Sequence, residues 1–130
     1  ESSAKQYGVY NFVGENIYEK TKREFVFRFL DFVKVKGKNI PVKVYELVNS
    51  KNNIDNKTLK LVQLFEKGLD KYYKKKWEDA LTLFQKSEEM EEKFTSRNTN
   101  PSLIYIERCK IFIEDPPDKN WDGVWTMTSK

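Results

Sequence analysis

Residues 25–47, FVFRFLDFVKVKGKNIPVKVYEL, decide the fold class of this chain. Apolar and polar side chains alternate on both sides of a Gly-Lys-Asn turn at residues 37–39, and such period-two alternation is typical of strands buried on one side. We therefore predict a β-hairpin, with one strand over residues 25–36 and a returning strand over residues 40–47. Pro41 fits an edge strand or the start of a strand.

The residues before the hairpin predict one further strand and a short helix. Val9, Asn11 and Val13 alternate as they would in a strand. Gly14-Glu15-Asn16 combines a turn signal with a helix start, and apolar residues then follow at helical spacing. The first part of the chain is therefore expected to mix strands with helix.

The chain changes in character near residue 50. The polar run over residues 50–56 has no periodicity and predicts a loop. From residue 59 to about residue 94, apolar side chains recur at helical spacing, which predicts two helices with a break at residues 74–76. A third helix is expected from Pro101, since proline favours the first turn of a helix, to residue 113.

The end of the chain carries two tryptophans, Trp121 and Trp125. This is too much apolar surface to leave in water, so we expect the tail to pack back onto the helices. The predicted class is α+β. Residues 1–50 form a partial sheet with a short helix and a hairpin, residues 51–57 form a linker, and residues 58–130 form a helical extension with its tryptophan-containing tail.

The composition excludes several kinds of site. The 130 residues contain no His and one Cys, which excludes an imidazole base or ligand, a thiolate zinc site and an internal disulfide. Cys109 fits a reducing compartment and is interpreted as a core residue, because no base is available to activate it. The net charge of +4 is small beside 24 basic and 20 acidic residues, so charge alone identifies no partner. The apolar runs fall far short of the roughly 20 residues of a membrane span.

Two charged segments have a structural and a functional interpretation. Residues 72–77 mix bases with aromatics as a single-strand nucleic-acid binder does, but a solvated loop between two helices is the favoured interpretation, and no nucleic-acid partner is expected. Four glutamates lie close together without an oxygen-rich loop: Glu88, Glu89, Glu91 and Glu92. We interpret them as an exposed helix face rather than a metal site. Asp115, Asp118 and Asp122 likewise lack the spacing of a metal-binding loop.

Several short segments together resemble the end of the catalytic domain of class III adenylyl and guanylyl cyclases. The most specific is Val-Lys-Gly-Lys at residues 35–38, followed by Pro-Val at residues 41–42 and Tyr-Glu-Leu at residues 45–47. In that family these residues form the last hairpin of the catalytic sheet. Tyr7-Gly8-Val9 and Phe-Val-Phe-Arg at residues 25–28 match in order and spacing, so the resemblance covers residues 1–48.

The resemblance implies a role for the hairpin lysines. Lys36 would contact the terminal phosphates of ATP or GTP, Gly37 would provide the turn, and Lys38 is a weaker candidate. The family's metal-binding, base-selecting and transition-state residues would all precede residue 1. We therefore expect a piece of a longer protein, with no catalytic or metal-binding residue of its own and no activity alone.

The resemblance also implies partners and location for the longer protein. It would use Mg²⁺ or Mn²⁺ to convert ATP or GTP into a cyclic nucleotide and pyrophosphate in signal transduction. A homodimer is expected, because the family's site forms between two subunits. The chain would lie on the cytoplasmic side of a membrane in which the longer protein is anchored.

The helical part has its own resemblances. Gly68, Tyr72, residues 77–81 and Phe84 are spaced as in a tetratricopeptide repeat, in which small residues let two antiparallel helices approach each other. Lys71 and Lys75 depart from that pattern, where an aromatic residue and a glycine are usual. Residues 105–109, 116–117 and 121–124 are similar to the tail of a group of bacterial membrane-anchored cyclases.

Two roles for the helical extension stay open from sequence. It could brace the catalytic sheet or mediate dimer or partner contacts, or the chain could instead be a peptide-binding interaction module of tetratricopeptide type. Bracing predicts that Leu64, Leu69, Phe84 and Trp121 are buried together, whereas peptide binding predicts an exposed concave face.

Overall fold

A computed structural model describes residues 2–35 and 37–126. Over these residues the chain forms five helices and a three-stranded sheet, which confirms the predicted α+β class. In chain order the elements are α1 (Ser2–Tyr7), β1 (Phe12–Gly14), α2 (Glu15–Thr21), β2 (Phe25–Lys34), β3 (Pro41–Ser50), α3 (Asn56–Tyr73), α4 (Trp77–Glu88) and α5 (Pro101–Glu114).

The predicted hairpin forms most of the sheet. The strand order is β1-β3-β2, and both pairings are antiparallel. β2 ends at Lys34, where it pairs with Pro41, and β3 continues beyond the predicted end to Ser50. Pro41 therefore opens the central strand, at a position where its missing N–H is tolerated.

A β-bulge interrupts β2 at Leu30. Phe29 is paired with Tyr45 and Asp31 with Val44, so Leu30 is an extra residue on its strand. A bulge bends the strand and redirects the side chains beside it. Leu30 and Asp31 are consecutive, yet both are buried, with exposed fractions of 0% and 1%. The bulge thus brings a carboxylate into the interior beside an apolar residue.

The strand predicted from Val9 is wrong over its first half. Residues 8–11 instead form an irregular turn after α1, which Gly8 ends with a positive φ of 74°. The N–H of Val9 donates to the carbonyl of Ala4 and that of Gly8 to Lys5, the pair of bonds that closes a helix at a glycine. A strand begins only at Phe12. The glycine turn that ends α1 therefore determines the structure before residue 12, and the alternation of the valines does not.

The helical hairpin of α3 and α4 breaks at residues 74–76, as predicted. Lys75 lies in the left-handed region with a φ of 65°, a conformation usually taken by glycine. Gly68 on α3 faces Phe84 on α4, and a Cβ at Gly68 would lie 2.7 Å from the Phe84 ring. The predicted close approach of two helices at a small residue is therefore present.

Side-chain caps fix where two of the helices begin. Asp55 accepts a hydrogen bond from the N–H of Thr58 at 2.8 Å and so caps α3. Asn100 accepts one from Leu103 at 2.8 Å, and Pro101 occupies the first turn of α5 as expected. Within the described ranges no helix has the length and apolar character needed to cross a membrane.

The core has two clusters on either side of Ile104, which packs against both. The smaller cluster joins α1 to the sheet and contains Ala4, Tyr7, Val9, Leu30 and Val44. The larger joins α3, α4 and α5 and contains Phe65, Leu69, Tyr72, Ala80, Phe84, Tyr105, Ile106, Cys109 and Phe112. Phe29 of β2 also packs against the larger cluster, so the helices contact the sheet directly.

The tail packs onto the helices, as the sequence predicts. Trp121 and Trp125 both lie against the larger cluster. Leu69 and Phe84 are buried within that cluster, whereas Leu64 is only half-buried. Trp121 is likewise only half-buried, so two of the four residues named for a brace are fully buried, and the choice between a brace and a peptide groove stays a prediction.

Candidate functional site

The end of the hairpin contains the lysines predicted to bind phosphate. Lys36 lies outside the described residues. Gly37 has a φ of 84°, and the N–H of Lys38 donates to the carbonyl of Val35 at 2.9 Å, which forms the predicted tight turn. Lys38 is exposed. Gly37 therefore lies in a turn, and the roles assigned to Gly37 and to the lysines in phosphate binding stay predictions.

The surroundings of this turn are basic and partly apolar. Val35 and Ile40 are large apolar side chains with exposed fractions of 49% and 75%. Lys34 lies at the base of the turn, and its Nζ is 2.9 Å from Oδ2 of Asp122 in the tail. Exposed ammonium groups around a fixed turn can bind a phosphate by charge.

A buried polar network around Asp31 connects three parts of the chain. Asp31 accepts hydrogen bonds from both guanidinium nitrogens of Arg108 at 3.1 and 2.7 Å. It also accepts one from the Tyr7 hydroxyl at 2.6 Å and one from the Tyr105 hydroxyl at 3.1 Å. The Tyr105 hydroxyl reaches the Leu30 carbonyl as well, at 2.6 Å. This Asp31 network ties α1 and β2 to α5.

Burial in this network changes the acidity of its members. Burial and the nearby Asp31 charge raise the pKa of Tyr7 well above its usual value, and burial likewise raises the pKa of Tyr105. Burial alone would lower the pKa of Arg108, but its interactions with Tyr105 and Asp31 outweigh that effect and raise it. Arg108 therefore stays charged at neutral pH, and Tyr7 and Tyr105 stay neutral.

A second buried network is centred on Arg28 of β2. Its guanidinium lies 2.7 Å from Glu91 and 2.8 Å from Glu46, the residue paired with Arg28 across the sheet. Glu91 also accepts a hydrogen bond from the Ser102 hydroxyl at 2.6 Å, at the start of α5. The expectation that Glu91 lies on an exposed helix face is wrong, because α4 ends at Glu88 and the chain then turns Glu91 inward onto Arg28.

The Arg28 network holds two carboxylates against one guanidinium. Burial, which is only partly offset by Arg28, raises the pKa of Glu46. Burial would lower the pKa of Arg28, but Glu46 and Glu91 together raise it. Arg28 therefore stays charged, while Glu46 takes up a proton more readily than an exposed glutamate does.

Two surface depressions lie beside these networks. A polar cleft of about 470 Å³ is lined by Arg28, Glu46 and Glu91 together with residues from the start of α3. A groove of about 380 Å³ lies between α3 and the sheet, and its walls include Phe29 and Tyr45. Neither contains a cluster of His, Cys, Asp or Glu that could hold a metal ion within the described residues.

The other candidate residues lie in the core or in surface loops. Cys109 is fully buried, and burial raises the pKa of its thiol to about 12, so it is a neutral core residue as predicted. Tyr72 and Trp77 pack against the larger core cluster, which leaves the lysines between them as an exposed loop. Asp122 has a partner that sequence analysis missed, Lys34, because nothing local to either residue indicates the contact.

Comparison with known proteins gives one informative match. The chain is 39% identical over 88 residues to "Adenylate cyclase, terminal-differentiation specific" of Dictyostelium discoideum. The chain is related to an adenylate cyclase. The match covers 66% of this chain and 4% of the relative, so the chain spans about 4% of that protein's length. No family model and no solved structure matches the chain.

Proposed function

We propose that this chain is the C-terminal part of a class III nucleotide cyclase of bacterial type, which converts ATP or GTP into a cyclic nucleotide and pyrophosphate. The observation that carries the proposal is the 39% identity over 88 residues with an adenylate cyclase. The exposed hairpin end, with a glycine turn set among lysines, supports it, since such a turn suits the phosphates of a nucleotide.

In this proposal the hairpin provides the phosphate contact. Lys36 holds the terminal phosphates as a point charge, and Lys38 has a weaker share. Gly37 turns the chain next to them, which its positive φ favours. The Mg²⁺ or Mn²⁺ ions and the groups that stabilise the transition state belong to residues before residue 1 and to a second subunit of a homodimer.

The helical extension has a bracing role in this proposal. Tyr105 and Arg108 of α5 bind the Leu30 carbonyl and the Asp31 carboxylate on the strand that leads to the hairpin. Tyr7 of α1 binds the same carboxylate. The extension would thus hold both the hairpin and the end of the helix that enters from the preceding catalytic residues. The longer protein would be anchored in a membrane with this part on the cytoplasmic side.

The experiment that tests the activity uses a longer protein in which the complete catalytic region precedes residue 1. Its turnover is measured with Mn²⁺ and either ATP or GTP, with the cyclic nucleotide as the detected product. Formation of a cyclic product supports the proposal and identifies the substrate. Folded, dimeric protein without any cyclic product would overturn it.

The bracing role has its own test. The same longer protein is compared with a form that ends at residue 54, before α3. Bracing predicts a large loss of turnover and of the dimer at assay concentration. Unchanged turnover and dimerisation in the shortened form would overturn the bracing role, while the proposed activity would stand.

A further inference from the structure

The tail segment 121–124 contacts the base of the hairpin that ends in the proposed phosphate site. Asp122 Oδ2 is 2.9 Å from Nζ of Lys34, the last residue of β2. The other carboxylate oxygen, Oδ1, accepts the N–H of Val124 at 3.0 Å. Asp122 therefore closes its own turn with one oxygen and binds the hairpin with the other.

The same segment is anchored to the helical core. Trp121 packs against Tyr72, Trp77 and Phe112, with ring centroids 5.4 to 5.6 Å apart. Its indole N–H donates to the carbonyl of Val124 at 3.1 Å, which closes the segment into a compact turn. One end of the segment is thus fixed in the larger core cluster.

Gly123 lets the segment lie flat between the helices and the sheet. Its φ is 91°, and a Cβ there would lie 3.4 Å from Tyr73 of α3 and 3.5 Å from Phe32 of β2. The backbone at Gly123 therefore passes against the side chains of both elements. A side chain at this position would be strained by the positive φ, while its Cβ would touch these rings at ordinary contact distance.

Beyond Phe32, and Val33 which packs against the smaller core cluster, the end of the hairpin has few supports. Within the described part of the chain, Lys34–Asp122 is the one ion pair formed by residues 33–42. Val35, Lys38 and Ile40 are exposed. A contact at Lys34, where the strand pairing ends, affects the direction of the exposed hairpin end more than it affects global stability.

We propose that the tail segment 121–124 is a strap that positions the hairpin, and that Asp122 is a positioning residue for its binding of phosphate groups. The inference rests on the proposed function for the identity of the anion. The strap itself rests on the contacts of Trp121, Asp122 and Gly123. It connects the helical extension to the phosphate site through a route separate from the Asp31 network.

Whether substitution of Asp122 weakens or tightens phosphate binding distinguishes a positioning role from a purely electrostatic one. Asp122→Asn removes a negative charge near the lysines, which by electrostatics alone would tighten the binding of a polyphosphate. If Asp122 positions the hairpin, the same substitution weakens that binding instead. The amide can still accept the Val124 hydrogen bond, so the turn at residue 122 is kept.

The experiment uses this chain with inorganic tripolyphosphate as the probe. NMR shift changes of Gly37 and Lys38 report binding, and hydrogen exchange of the Lys38 amide, which donates to Val35, reports the order of the turn. We expect Asp122→Asn to speed this exchange about threefold and to weaken binding by a similar factor, as for an exposed pair.

A matched control is Asp118→Asn, an exposed carboxylate in the same tail. It should change neither exchange nor binding. Tighter or equal binding by Asp122→Asn with unchanged Lys38 exchange would overturn the strap. Absence of tripolyphosphate binding by the unmodified chain would instead count against the hairpin as a phosphate site, while faster exchange in Asp122→Asn would still support the strap.

Discussion

Asp31 and Arg108 form a two-pronged buried ion pair across 77 residues of sequence, with N–O distances of 3.1 and 2.7 Å. The side chains are 1% and 8% exposed. The pair joins β2 of the hairpin to α5. It therefore links residues 1–48, which resemble a cyclase catalytic domain, to the helical extension.

Loss of Arg108 should be costly. Arg108→Leu leaves the Asp31 carboxylate buried and without its cation, and breaking a buried pair in this way costs about 3–5 kcal/mol. Urea unfolding followed by circular dichroism measures the loss. Lys74→Ala is the control, since its pair with Asp70 is largely exposed and is worth below about 0.5 kcal/mol. Equal, small effects of both substitutions would show that the Asp31 network contributes nothing to stability.

This pair could not be predicted from the sequence. The hairpin and the helices can be predicted from local periodicity. The contact of Gly68 with Phe84 can be predicted from the spacing of these residues, which is similar to that of a tetratricopeptide repeat. Asp31 sits in an alternating strand that gives no sign of the bulge at Leu30, and its partner is remote in sequence. The prediction that Glu91 is exposed is wrong for a similar reason. Its burial depends on where the chain turns after α4, which no local pattern indicates.

The stability of the fold should fall steeply in alkali. Burial raises the pKa of Tyr7, Tyr72 and Tyr105 above the usual value of 10. The unfolded chain therefore releases these protons first, so the stability present below pH 10 is lost as the pH rises, by about 1.4 kcal/mol per pH unit for each tyrosine.

Urea midpoints between pH 8 and 11.5, with tyrosinate absorbance in parallel, measure this loss. Tyr7→Phe should make the decline shallower, and Tyr10→Phe, at an exposed position, is the matched control. Tyrosinate formation near pH 10 in the folded chain, without loss of stability, would contradict the raised pKa values of the buried tyrosines.

Gly8 should tolerate no side chain. Its φ is 74°, and a Cβ there would lie 2.1 Å from the carbonyl oxygen of Thr99. Gly37 has a similar φ of 84° but nothing within 4 Å of its Cβ position. Gly8→Ala is therefore expected to cost about 2–4 kcal/mol and Gly37→Ala about 1 kcal/mol, as measured by thermal unfolding. Equal costs would mean that the Gly8 contact with the start of α5 is not close.

Gly68→Ala should destabilise the chain although alanine favours helix. The added methyl would lie 2.7 to 3.0 Å from Phe84 ring atoms, and overpacking of this kind costs about 1–3 kcal/mol. Helix propensity offsets about 1 kcal/mol of that. Combining it with Phe84→Leu should give a smaller loss than the sum of the two single variants. Strict additivity in chemical denaturation would contradict the contact.

The most direct test of the proposed function is the Michaelis constant for ATP or GTP of the longer protein and of its Lys36→Ala variant, with Lys43→Ala on the same hairpin as the control. The account predicts that Lys36→Ala raises the constant about tenfold or more, the loss of one charge-assisted phosphate contact, and that Lys43→Ala changes it little. Unchanged constants in both variants, with cyclase turnover retained, would contradict the claim that this hairpin holds the nucleotide phosphates.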